Sequence, residues 1–86
     1  MKWFTSRRFR ETFADLPDPV RLQARRACRL FSQNPSHPGL NFKKIDAENN
    51  IYSSRIGLGY RALGHMHGEA IVWFWIGPHG DCDKLV

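Results

Sequence analysis

The spacing of hydrophobic positions changes once along this chain, from a helical period in its first third to an extended one thereafter. Phe9, Phe13 and Leu16 recur at helical spacing. Thr5 and Ser6 ahead of them carry hydroxyls suited to capping, and Pro17 ends the run, so a first helix is predicted at about residues 6–16. Asp18-Pro19 then offers an N-cap followed by proline at the first helical position, where a missing N–H costs nothing. Val20, Ala24, Ala27 and Phe31 form the apolar stripe of this second helix, with Arg21, Arg25, Arg26 and Arg29 on its other faces, and Asn34-Pro35 ends it. So short a link makes the two helices a hairpin.

Ser36-His37-Pro38-Gly39 is a loop by composition, and the chain beyond it reads as strands at residues 41–45, 51–56, 60–67 and 69–76. The breaks fall at Glu48-Asn49-Asn50, at Gly57 and Gly59, and at His67-Gly68, short enough to make neighbouring strands antiparallel. Residues 70–76 are apolar without alternation, which predicts a strand covered on both faces and central in the sheet. Trp3-Phe4 can add a short edge strand. The expected fold class is α+β: an N-terminal two-helix hairpin packed on a mainly antiparallel four- to five-stranded sheet, in the order β-α-α-β-β-β-β.

Composition narrows this to one globular domain over residues 1–86. A chain this short has no room for a second core, and three Trp and six Phe are more aromatics than a disordered segment carries. The net charge is +5, all of it in residues 1–34, where eight basic side chains face three acidic ones. Such a balance favours nucleic acid, anionic lipid or an acidic protein partner. The apolar run from Ala70 to Gly77 is far too short to span a bilayer, and the Lys2, Arg7 and Arg8 charges precede any apolar run, so neither a membrane anchor nor a secretory signal is expected. Cys28 and Cys82 read as two free thiols in a reducing cytoplasm.

Several strings resemble, jointly and in order, one branch of the RelE/ParE superfamily of bacterial toxins. They are Leu16-Pro17, the basic second helix, Phe31-Ser32-Gln33-Asn34-Pro35, Phe42-Lys43-Lys44, Tyr52-Ser53-Ser54-Arg55, Gly59-Tyr60-Arg61-Ala62-Leu63, Ile71-Val72-Trp73-Phe74-Trp75-Ile76-Gly77 and His79-Gly80-Asp81-Cys82-Asp83-Lys84-Leu85. The resemblance spans nearly the whole chain. It implies the toxin of a type II toxin–antitoxin system, cytoplasmic, silenced by a cognate antitoxin protein and needing no cofactor. RelE-like members are messenger-RNA endonucleases acting inside the ribosome, whereas ParE-like members inhibit DNA gyrase without cutting RNA. The first activity is the expectation here. The second, or a toxin reduced to a binding module, is the alternative.

Metal-free RNA cleavage needs a base near the 2′-hydroxyl, an acid at the leaving 5′-oxygen, and fixed positive charge at the phosphoryl oxygens. Arginine suits the last task, since its planar fork holds two phosphate oxygens and keeps its proton. By the resemblance Arg61 is the arginine at the scissile phosphate, Arg55 the second basic group, and His79 the general acid, with imidazole poised near neutrality. The Ile56-Gly57-Leu58-Gly59 segment is one residue longer than the family pattern. That leaves open which face Arg55 takes, since a one-residue slip inverts a strand. Lys43 or Lys44, Lys84 and Tyr60 are the expected substrate-binding groups, and neighbouring lysines on a strand cannot both face one site. Cys82 stands where the family often has tyrosine, so either catalysis is weaker, or Tyr60 or Tyr52 substitutes, or the chain is not a nuclease. A zinc site from His65, His67, His79 and Cys82 is the weaker reading, because His-Met-His-Gly looks like a hairpin end.

Overall fold

The Ser6 hydroxyl accepts the N–H of Phe9 at 3.1 Å and starts helix α1, Arg7–Ala14, directly after strand β1, Lys2–Thr5. The structure is a computed structural model and describes residues 1–80. Helix α2, Asp18–Gln33, comes after Pro17. Asp18 is its first residue rather than its cap. The carboxylate pairs forward with Arg21 instead of turning back to the helix N–H groups, and the same guanidinium donates to the Ala14 carbonyl at the end of α1 at 3.2 Å. One arginine thus ties off both ends of the helix-to-helix link.

Past a single 3-10 turn at Pro38–Leu40 come strands β2 Lys43–Asp46, β3 Ile51–Ile56, β4 Tyr60–His67 and β5 Ala70–Pro78. The sheet order is β1-β5-β4-β3-β2, antiparallel except that β1 runs parallel to β5 along one edge. The expected α+β fold and β-α-α-β-β-β-β order are observed. The middle strand is β4 rather than β5, because Lys2–Thr5 pairs with β5 and moves it one place outward.

The missing alternation in β5 has a local cause. The register with β4 shifts between Leu63 and Gly64, opposite a bulge that takes in Phe74, so side chains before and after it point to opposite faces. Ile71, Trp73 and Ile76 join Val20, Ala24, Phe31 and Leu40 in the main core under the helices, whereas Trp75 packs with Ile51 and Leu63 on the second face. Phe31 is the keystone of the main core, edge-on to Trp73 at 5.4 Å and to Phe42 at 5.2 Å between ring centroids. Beyond Thr5 no strand among the described residues lies along the outer edge of β5, and the Thr12 hydroxyl of α1 accepts the Ile76 N–H there at 3.3 Å.

The helices lie on one face of the sheet but do not close over it. Between them runs an apolar groove of about 370 Å³, floored by Trp73, Ile76 and Ala62 and walled by Phe9, Phe13, Ala27 and Cys28. Arg10 and Arg25 stand at its rim, the latter with its guanidinium 5.5 Å from the Phe13 ring centroid. Burial raises the Cys28 thiol above its ordinary pKa, partly offset by the charge of Arg29. Among the described residues no helix is long and apolar enough to cross a membrane.

Candidate functional site

Strand alternation sorts the expected site residues onto two faces. On β4, Tyr60, Ala62 and Met66 pack into the main core, so Arg61, Leu63, His65 and His67 lie on the second face. On β3, Tyr52 and Ile56 face the helices, which leaves Ile51, Ser53 and Arg55 on the second face. Arg55 and Arg61 are direct cross-strand partners there. The longer hairpin segment does not turn Arg55 away: Gly57 and Gly59, at φ of +56° and +84°, absorb it in the turn, and strand pairing resumes in register.

Like charges directly opposite on a sheet cost stability. Neither arginine makes an ion pair among the described residues; Arg55 donates from Nε to the carbonyl of Gly57 at 3.2 Å. Local rules of this kind are broken mainly where function requires it. His79 comes to the same end of the sheet. Its backbone N–H donates to the Gly59 carbonyl at 2.7 Å, and Gly77, two residues earlier, is the β5 partner of Arg61. Arg55, Arg61 and His79 therefore gather around one hairpin end although they come from three segments.

The lysines divide as neighbours on a strand must. Lys44 turns to the helix side, its ammonium 5.6 Å from the Tyr52 ring centroid, while Lys43 pairs with Ser53 on the second face. Tyr60 is packed against the main core, away from the two arginines, and Tyr52 is stacked on Phe42 at 4.9 Å. Neither phenol shares the face of Arg61. Lys84 and Cys82 lie outside the described residues. His65 and His67 share the second face with ring centroids 5.8 Å apart, and among the described residues no group of three or more His, Cys, Asp or Glu could hold a metal ion.

Sequence reasoning missed the pairing of Trp75 with Gly77. A Cβ at Gly77 would come within 2.5 Å of Cζ2 of Trp75, so the indole lies across the glycine, on the strand position facing Arg61. The available signal was the glycine itself, since glycine within a strand often marks a close approach.

Both the sequence and the fold have counterparts among known proteins. The family model of the ParE-like toxin domain matches residues 18–84. The chain belongs to that family. No curated protein is similar enough in sequence to count as a relative. Among solved structures the fold is similar to a chain of the RelB–RelE antitoxin–toxin complex from Methanococcus jannaschii, with TM-score 0.76, 18% identity, and 95% of this chain and 96% of that chain covered. It is also similar to the YoeB/ParE toxin from Agrobacterium tumefaciens, with TM-score 0.71, 12% identity, and 92% and 99% covered. The RelBE toxin–antitoxin complex of E. coli gives TM-score 0.67 at 16% identity, covering 90% and 94%. At these identities the likeness carries the fold, and the chemistry rests on this chain's own residues.

Proposed function

We propose that this chain is the toxin of a type II toxin–antitoxin pair and acts in the cytoplasm as a ribosome-dependent messenger-RNA endonuclease. The observation that carries the reading is the cross-strand pair Arg55 and Arg61 on the second face, with His79 tied to the same hairpin end. In the reaction the 2′-hydroxyl loses its proton to a base and attacks the adjacent phosphorus. The bond to the 5′-oxygen breaks, His79 supplies that oxygen with a proton, and a 2′,3′-cyclic phosphate remains. The two guanidiniums meet the charge that builds on the phosphoryl oxygens, with Arg61 held by its strand partners. Lys43 holds a neighbouring phosphate from the β2 edge, and Lys84 remains a candidate for the same task. Tyr60, packed against the main core on the helix side, takes no part at the phosphate in this reading.

The antitoxin is the second partner. The RelB–RelE and RelBE structures are toxin–antitoxin complexes, and the groove between α1 and α2, apolar below and rimmed by Arg10 and Arg25, suits an amphipathic segment bearing acidic residues. The exposed Arg26 and Arg29 of α2 add charge for ribosomal RNA.

A second reading, a ParE-like toxin that inhibits DNA gyrase, draws on the family model and on the placement of both Tyr52 and Tyr60 away from Arg61. One experiment separates the two. With ribosomes programmed by a defined message, wild-type chain should give primer-extension stops within the reading frame. Arg61→Ala should lower the cleavage rate by ~10²–10³ while still binding antitoxin. Intact message beside inhibited supercoiling would establish the gyrase reading and remove the assigned roles of Arg61 and His79.

A further inference from the structure

The second face carries a feature that the cleavage chemistry does not use. Phe4 on β1 aligns with Val72 on β5, which aligns with His65 on β4, and His65 packs edge-on against Phe74 at 5.1 Å between centroids. Phe4 is 55% exposed, far more than burial in a core would leave it, and its strand is the sheet edge. His65, His67, Val72 and Phe74 line a shallow hollow of about 230 Å³. That is smaller than the ~300 Å³ lower bound of drug-sized pockets and is suited to one planar ring system.

We propose that Phe4, Phe74 and His65 form a base-stacking platform for single-stranded RNA, distinct from the phosphate site and continuous with it. The proposal rests on the nuclease reading of Arg55 and Arg61. His65 lies four residues along the same strand face from Arg61, about 13 Å at ~3.3 Å per residue, so a strand whose phosphate sits at the arginines reaches the platform within a few nucleotides.

The occupant is set by how charge and aromatic rings are interleaved. Lys43, Arg55 and Arg61 lie on the face beside the platform, and Lys2 lies at its far edge in register with Ala70, the partner of His67. Cations tracking a backbone with aromatic rings between them are the arrangement by which proteins hold single strands, because every base has a stacking face. Two acids border the platform: Asp46, held ionised by the N–H groups of Glu48 and Asn49 and the Asn49 amide, lies within electrostatic reach of His65, and Glu69 sits in the β4–β5 turn with its carbonyl accepting the Lys2 N–H at 3.3 Å. The deep apolar groove suited to a protein helix lies on the opposite face.

The test is a cycle between protein and RNA. A fluorescent nine-nucleotide single-stranded RNA, made uncleavable by 2′-deoxy substitution throughout its centre, is titrated by anisotropy at low salt, intact and with single abasic positions. One abasic position should weaken binding to wild type about 5- to 100-fold. Phe4→Leu, which keeps an apolar side chain without an aromatic face, should weaken the intact RNA similarly and add nothing on the abasic one. Phe4→Trp should restore binding, and the loss from Arg61→Gln should multiply with the abasic loss. Unaltered melting temperatures for the exposed Phe4 variants guard against misfolding, and His65→Ala gives a second probe. If Phe4→Leu and His65→Ala both bind like wild type while Arg61→Gln does not, the platform is wrong and the nuclease reading survives. If Phe4→Leu weakens antitoxin binding alone, the patch belongs to a protein and the platform is wrong. If wild type shows no affinity for the RNA, the platform is wrong, and the nuclease reading is decided separately by the primer-extension assay on programmed ribosomes.

Discussion

Replacing Arg61 with glutamine removes one of two like charges placed directly opposite each other on adjacent strands, and the fold should become more stable while losing its activity. Cross-strand pairs contribute roughly 0.2–1 kcal/mol, and a like-charged pair acts with the opposite sign. Two charges ~6 Å apart in a water-like medium repel by about 0.7 kcal/mol, which agrees with that range. Arg61 is half-buried, so shortening it also loses some packing of its aliphatic stem, which leaves a net gain of about 0.5 kcal/mol. For a domain of this size that corresponds to a rise in Tm of about 2–4 °C.

Thermal denaturation in low and high salt checks this directly. The repulsion should largely disappear at about 1 M salt, where the screening length is ~3 Å, so the advantage of Arg61→Gln should shrink toward zero there. Arg61→Lys keeps the charge and should show no advantage at either salt concentration. If Arg61→Gln melts lower than wild type at low salt, or if Arg61→Lys gains as much, Arg61 is a structural residue and the strain assigned to the pair is absent.

Gly64→Ala should destabilise by about 1–3 kcal/mol in urea titration, because a Cβ there would lie 2.7 Å from Cδ1 of Ile71 and 2.9 Å from Cε3 of Trp73 in the main core. Gly77→Ala should cost a similar ~1–3 kcal/mol by displacing the Trp75 ring, and adding Trp75→Leu should recover part of the loss in the same titration. Asp46 has its carboxyl held below the ordinary carboxylate range, first by the Asn49 side chain and then by the Asn49 backbone N–H. The resulting stability is present above the ordinary pKa of ~3.9 and lost as pH falls through the lower folded value. The Tm difference between wild type and Asp46→Ala should therefore be positive at neutral pH and close on acidification.

The helices and hairpins were legible because each carries its own local chemistry. Ser6 caps, Pro17 and Asn34-Pro35 stop, and the glycines at 57, 59 and 68 turn at positive φ. What could not be read was anything set by a partner distant in sequence. The place of β5 depends on residues 2–5 pairing with it from the far end of the chain, and the split of Trp73 from Trp75 depends on a bulge opposite Gly64. The apolar run at residues 70–76 fits two covered faces equally well with or without a bulge. The candidate site divides the same way. Resemblance and side-chain chemistry could nominate Arg55 and Arg61, but only the observed register puts them opposite each other, and only the face assignment separates Lys43 from Lys44 and sets both tyrosines apart from the arginines.

The two faces of the sheet also constrain how such a toxin is silenced. The apolar groove lies with the helices on one side, and Arg55, Arg61 and the aromatic patch lie on the other. A partner seated in the groove alone would leave the arginines uncovered. Direct occlusion requires a longer segment that rounds the sheet by the β1 or the β2 edge. At the β1 edge it would cross the exposed Phe4, and at the β2 edge it would meet Lys43 and Lys44. An acidic antitoxin tail would meet the neighbouring Lys43 and Lys44 at the β2 edge, and Lys2 together with Arg10, whose guanidinium donates to the Thr5 carbonyl, at the β1 edge, so charge can steer it along either route.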